Sequence, residues 1–322
     1  MKAVEKLSIS IVTMNSKQLT RNCLKSILEH TSGISFKIFL LDNVSDDGTQ
    51  AMVREEFPEV EFIESDRCRG FTANQNIISR RVRSEYVLVL NNDTVFSDNS
   101  LKVMVEFLDA NPQAGAVVCK ILNVDGSFQT TCIRCDLDLL SMFSIKTGLE
   151  KLFPKSKVWG RPHMGYADRN VIQEVSVYSG ACVMIRKKVL DEVGLLDENI
   201  TFGPDDYDLS YRMRKKGWKI YYLPTAKVIH LFGQTRKINE ETYLEEVRGI
   251  FYLYLKHYGQ FQTFLLKLMM LYGGFLKPLF WFYLYIGKRI TWSELKDNLR
   301  IHGKFMKAVI FYPIKEVYPV QV

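Results

Sequence analysis

The 322-residue chain has no GxGxxG after its first strand-like segment and no GxxxxGK[ST] anywhere. It therefore lacks the fingerprints of a dinucleotide oxidoreductase and of a P-loop nucleotide hydrolase. Its six cysteines follow no disulfide-scaffold spacing. The one CxxC, Cys132-Ile133-Arg134-Cys135, has no second pair and no histidine at zinc-finger distance, so two buried or idle thiols are expected there. Met1 to Thr13 lacks the basic start, apolar run and cleavage site of a secretory signal, which favours reduced thiols in a cytosolic compartment. Lys267, Gly273-Gly274, Lys277 and Pro278 interrupt the most apolar stretch, so no unbroken run reaches the roughly 20 residues of a membrane span.

Net charge is also missing from most of the molecule. The net charge of +7 resides in residues 249–322, with ten Lys/Arg against three Asp/Glu, while the rest balances at 33 of each. That distribution argues against a nucleic-acid-binding core and points to a local anionic partner of the C-terminal quarter.

Alternation in Leu7–Thr13, and apolar runs at Lys37–Leu41, Val60–Ile63 and Tyr86–Leu90, predict four strands. Helical spacing follows the first, Asp47-Gly48-Thr49 turns into a second helix, and a third is expected from Ile77 to about Ser84. Further strands are expected near Ala116–Leu122, Ala181–Arg186, Trp218–Leu223 and Ala226–Ile229. Strands alternating with helices predict an α/β fold with a mostly parallel sheet covered on both faces. No linker interrupts residues 1–238, expected to be one domain, and residues 239–322 read as a basic, aromatic helical region. Trp281, Phe282, Tyr283, Tyr285 and Trp292 beside Lys288 and Arg289 resemble an interfacial belt, predicting a helical hairpin lying in one leaflet. A buried helix pair joining a homodimer is the alternative.

Polar residues gather where strands end: Thr13-Met14-Asn15, Asp42-Asn43 and Asn91-Asn92-Asp93. Open α/β sheets bind ligands beyond such ends, so these side chains could hold a nucleotide or a metal. Asp205-Asp206-Tyr207-Asp208 crowds three carboxylates into one helical turn. One carboxylate suffices to cap a helix, so the others suggest proton work. His230 ends an apolar strand, and with Asp93 it offers an imidazole–carboxylate set suited to Mn²⁺ or Mg²⁺.

Ser10–Asn15, Leu41–Thr49, Gly70-Phe71 with Asn76, Leu90–Thr94, Ser179-Gly180-Ala181, and Asp205–Leu209 through Lys216-Gly217-Trp218 to His230 together resemble glycosyltransferase family 2. Within it the match is most similar to bacterial rhamnosyltransferase-like enzymes of polysaccharide and cell-wall assembly. The resemblance implies a GT-A fold and inverting transfer from a nucleotide-diphosphate sugar, with dTDP-rhamnose ahead of UDP-hexoses, to a glycan or lipid-linked glycan. By that match Thr13, Asn15, Asp42, Asn76 and Asn92 serve the nucleotide, Asp93 and His230 hold Mg²⁺ or Mn²⁺, and Ser179 and Gly180 lie near the sugar. Asp206 falls on the family's general base, with Asp205 in the place of its usual Glu. Asn91 replaces the first Asp of the DXD motif, and Cys68 stands where the subgroup often has Asn. The implied setting is cytoplasmic and peripheral on the inner face of the cell membrane, against anionic lipid, without nucleic acid. A nucleotidyltransferase would want a basic glycine-rich loop, which Asn15-Ser16-Lys17-Gln18 is not. A non-catalytic sugar-nucleotide binder is disfavoured by the retained Asp93, Asp206 and His230.

Overall fold

The computed structural model describes residues 5–201, 203–231, 240–289 and 291–312. The expected domain boundary at 238 lies outside the described residues.

A first half builds β1 (Leu7–Thr13), α1 (Lys17–His30), β2 (Phe36–Asp42), α2 (Thr49–Glu56), β3 (Glu61–Glu64), α3 (Phe71–Ser79), β4 (Tyr86–Asn91), β5 (Thr94–Val95) and α4 (Ser100–Ala110). The second half contains β6 (Ala114–Leu122), β7 (Ile133–Arg134), α5 (Leu139–Thr147), α6 (Leu149–Leu152), β8 (Gln173–Glu174) and β9 (Val177–Tyr178). It continues with β10 (Cys182–Arg186), α7 (Lys187–Val193), α8 (Asp205–Lys215) and β11 (Lys219–His230). Three helices follow: α9 (Glu240–His257), α10 (Gly259–Ile286) and α11 (Trp292–Phe311).

The main sheet runs β3-β2-β1-β4-β10-β6-β11-β5, with β8 against β11. Pairing is parallel from β3 to β4 and between β6 and β11, while β10 runs antiparallel between the two blocks. The central strands are buried on both faces: Leu7, Ile9, Ile11, Leu40, Leu88 and Leu90 are all fully buried, and so is Ser10 between them. β7 and β9 form a separate antiparallel ribbon with Arg134 opposite Val177.

Three expectations are corrected. α3 begins at Phe71, not Ile77, because Asn74, Gln75 and Asn76 are buried polar residues that hide its apolar face. The two strands read around residue 224 are one strand, β11, which carries Pro224 across a register shift between Leu223 and Lys227, the bulged setting that accommodates proline in a sheet. The predicted hairpin is instead one continuous 28-residue helix, α10, running through Gly273, Gly274 and Pro278. By length and composition alone it could cross a membrane. Pro278 cannot donate to the carbonyl four residues back, and that carbonyl, Gly274 O, instead accepts from His302 Nε2 on α11 at 2.7 Å. Gly274 has no side chain to lose there: a Cβ would stand 2.2 Å from Met306 Sδ.

Candidate active site

Parallel register brings the first three strand ends level. Thr13 pairs with Asp42 across β1–β2, and Val12 pairs with Asn91 across β1–β4. The fully buried Asp42 carboxylate accepts from Ser45 N–H at 3.0 Å and Gln50 Nε2 at 2.8 Å through Oδ2. Its Oδ1 is buried without a hydrogen-bond partner among the described residues. Asn15 is exposed with φ +46°, and its Oδ1 accepts from Asp46 N–H at 2.8 Å. Between them Val44 takes φ +62°, a left-handed conformation that costs a β-branched residue about 1–3 kcal/mol and that the flanking bonds to Ser45 and Asp46 sustain.

Two other expected nucleotide residues turn inward. Asn92 Nδ2 donates to the hydroxyls of Thr13 and Thr20, each at 3.0 Å, so this trio clasps β4 and β1 to α1. Asn76 lies apart from the strand ends: its amide donates to Leu196 O and Glu198 Oε1 at 2.9 Å and accepts from Leu196 N–H at 3.1 Å. Its hydrogen-bonding groups are committed to the 196–198 loop.

Asp93 and His230 come together although 137 positions separate them in the chain. His230 Nε2 lies 3.1 Å from Asp93 Oδ1, and both side chains are buried. β5 pairs with β11 at Thr94–His230, which delivers the two side chains to one place. His230 Nδ1 meets Gln129 Oε1 at 2.8 Å; an amide oxygen only accepts, so Nδ1 carries a proton and donates it there, which turns Nε2 toward the carboxylate. Two acceptors in contact call for a proton or a cation between them, and a histidine oriented through its other nitrogen is the usual form of a metal ligand. The residues present therefore fit a divalent ion. Among the described residues no group of three or more His, Cys, Asp or Glu is assembled, so further ligands would come from elsewhere. Asn91 Nδ2 lies 3.4 Å from the same ring nitrogen. Gln129 carried no sequence signal.

The three carboxylates of α8 have separate surroundings. Asp208 is fully buried and bonded to Arg212 at 2.8 Å, Lys256 at 2.6 Å and His257 at 2.7 Å, a cage that holds it well below the usual carboxylate range despite burial. Asp206 is nearly buried and paired with Arg134 of β7, and its Oδ1 accepts the Tyr207 N–H at 2.9 Å. Asp205 is half-buried; desolvation, then the adjacent Asp206 charge, pushes it well above the usual range. Arg134 was visible only as the third member of the CxxC. The thiols around it contact Cys119 O at 3.2 Å (Cys132) and Tyr166 Oη at 3.7 Å (Cys135).

Ser179 and Gly180 bridge the two halves of the site. Tyr178 O accepts from Arg134 at 2.8 Å, and Ala181 O accepts from Asn91 N–H at 3.0 Å. Gly180 faces open space, with nothing within 4 Å of where a Cβ would be. Residues 178–181 thus link the end of β4, at Asn91, to Arg134 and its partner Asp206.

A family model described as "Glycosyltransferase like family 2" matches residues 5–250. An N-acetylglucosaminyl-diphospho-decaprenol L-rhamnosyltransferase of Mycobacterium tuberculosis is 25% identical over 204 residues, covering 60% of this chain and 66% of that protein. Rhamnosyltransferase WbbL of Escherichia coli is 23% identical over 64% of this chain and 78% of its own length. Among solved structures, GalNAc-T7 with UDP, GalNAc and Mn²⁺ aligns with a TM-score of 0.57 at 17% identity, over 79% of this chain and 50% of the other. A mannosyltransferase from Pyrobaculum calidifontis with GDP-Man and Mn²⁺ aligns at 0.53 and 14% identity, over 96% and 87%. The chain thus spans just under two thirds of the mycobacterial relative and half of the GalNAc-T7 chain.

Proposed function

Because this chain belongs to glycosyltransferase family 2 and is a glycosyltransferase of the GT-A fold, we propose that it moves a sugar from a nucleotide diphosphate to a hydroxyl of a glycan or lipid-linked glycan, with inversion. Rhamnose from dTDP-rhamnose is the lead donor, since two relatives are named rhamnosyltransferases, and a UDP-hexose is the alternative. The proposed setting is the inner face of the cell membrane in cell-surface polysaccharide synthesis. What supports this reading is the buried Asp93–His230 contact beside Asn91 at the end of β4, which residues 178–181 link to Arg134 and Asp206.

Asp42, through its unpartnered Oδ1, and Asn15 would receive the nucleotide at the ends of β2 and β1. Asp93 and His230 would hold Mg²⁺ or Mn²⁺, which when bound offsets the charge of the departing diphosphate as a Lewis acid. Asp206 takes the proton of the acceptor hydroxyl while that oxygen bonds to the anomeric carbon. The bond from that carbon to the diphosphate breaks on the opposite face, and its electrons leave with the nucleoside diphosphate. Ser179 and Gly180 would border the transferred sugar, so that much of the rate comes from holding donor and acceptor in line.

The test is release of nucleoside diphosphate across a panel of dTDP- and UDP-sugars, with and without Mn²⁺ and a lipid-linked glycan acceptor. Release requiring both cation and acceptor, fastest from dTDP-rhamnose, is the expected result. Equal rates in EDTA would remove the metal role, and faster release from a UDP-hexose would replace the donor.

A further inference from the structure

Asp205 and Asp206 are neighbours on one helical turn and cannot both ionise cheaply at a site shielded from water. Something must decide which carries the charge. Arg134 lies 72 residues earlier, on a ribbon outside the main sheet, and its guanidinium is fixed from three sides. It pairs with Asp206 Oδ2, donates to Tyr178 O at 2.8 Å, and lies over the Tyr207 ring at 4.6 Å. Its side chain is 14% exposed, so this is a planar, preorganised cation in a low-dielectric setting.

We infer that Arg134 is a positioning residue for transfer, assigning the negative charge to Asp206 and the shared proton to Asp205. The inference rests on Asp206 being the base. Arg134 anchors Oδ2 and leaves Oδ1, which accepts the Tyr207 N–H, with a second lone pair for the acceptor proton. The charged and titratable groups around Asp206 are Arg134 from β7, Asp205 and Tyr207 from α8, and Tyr178 from β9. The charges of Asp208 and Arg212 act on Tyr178, and that of Asp136 on Tyr207. Arg134 contacts Asp206 directly, and the raised proton affinity of Asp205 agrees with a proton stored there. Two carboxylates with environments pushed apart are the usual basis of divided acid and base roles.

The test is the pH dependence of kcat/KM in the full chain for wild type, Arg134→Gln and Arg134→Lys. Removing the cation lets Asp206 hold its proton to higher pH, so the acid limb of Arg134→Gln should move up by about one unit or more. The donor KM should stay unchanged. Arg134→Lys keeps the charge but not the fork, and should restore the limb's position while recovering only part of the rate. A folded Arg134→Gln whose acid limb coincides with wild type overturns the inference. Should that variant fail to fold, the carboxyl ¹³C signal that Asp206→Asn deletes decides the matter in the wild type. A midpoint above the ordinary carboxylate range overturns the inference, and one at or below it supports it. Full transfer by Asp206→Asn sinks the underlying base reading instead, so the two failures are distinguishable.

Discussion

Asp205, Asp206 and Asp208 share one turn of helix but have three different surroundings, set by their partners rather than by their spacing. Asp208 faces Arg212, Lys256 and His257, and so ties α8 to α9. Replacing it with Ala leaves three cationic or ionisable groups around an uncompensated void and should cost about 3–5 kcal/mol, read from the denaturant midpoint. Its folded-state affinity for protons is depressed, so its stabilising contribution is complete above the unfolded carboxylate value of about 3.9 and is lost as pH falls through the lower folded value. The wild type should therefore lose stability more steeply than Asp208→Ala on acidification below about pH 4. Asp206→Asn leaves Arg134 without its counter-charge and should lower the melting temperature, while reducing transfer at least about 100-fold with donor nucleotide still bound by the folded protein. Loss of folding in Asp206→Asn and of catalysis in Asp208→Ala would exchange the two roles.

Elements whose period matched their burial were legible in the sequence, and those that answered to a distant partner were not. β1, β2 and β4 alternate or run apolar because the sheet buries both faces, and parallel register sets their polar ends at Thr13, Asp42 and Asn91 side by side. Arg134 and Gln129 escaped because each acts on a residue 72 or 101 positions away, a distance that no local pattern encodes. The same cause misplaced the break in α10. Gly273-Gly274 and Pro278 are breakers by local rule, yet His302 of α11 supplies the missing donor and Gly274 admits the approach of Met306. His302→Ala should therefore leave a carbonyl unpaired where it had been shielded, at a cost of about 1–3 kcal/mol. Lowered melting temperature with new proteolytic cleavage near residues 273–278 is the expected outcome; unchanged protection would mean that the helix continues without its partner.

At the scale of the whole molecule, charge and exposed apolar surface coincide. The last quarter of the chain holds the full +7 excess, and α10 exposes Phe261, Leu268, Tyr272, Phe275, Leu279, Phe282 and Ile286 along a helix of about 42 Å. These positions recur every three, four or seven residues, which gathers them on one face while Leu266 and Met270 are buried against the neighbouring helices. Two occupants could cover such a stripe, a second copy of the chain or lipid. A second copy would bring its own +7 against this one, whereas an anionic bilayer attracts Lys288, Arg289, Lys296, Arg300 and Lys304 and accepts the aromatic rings at its interface. The proposed surface is therefore a membrane, with α10 lying along it and the sugar-transfer site held beside lipid-linked acceptors. The protein should float with vesicles of phosphatidylcholine containing phosphatidylglycerol, bind those of phosphatidylcholine alone far more weakly, and lose the difference between the two as salt rises. The double variant Phe275→Ser, Phe282→Ser should lose flotation while keeping transfer to a soluble glycan acceptor. A wild-type protein that ignores both vesicles and has twice the chain mass by light scattering, reduced to one chain by the same variant, assigns the stripe to a homodimer instead.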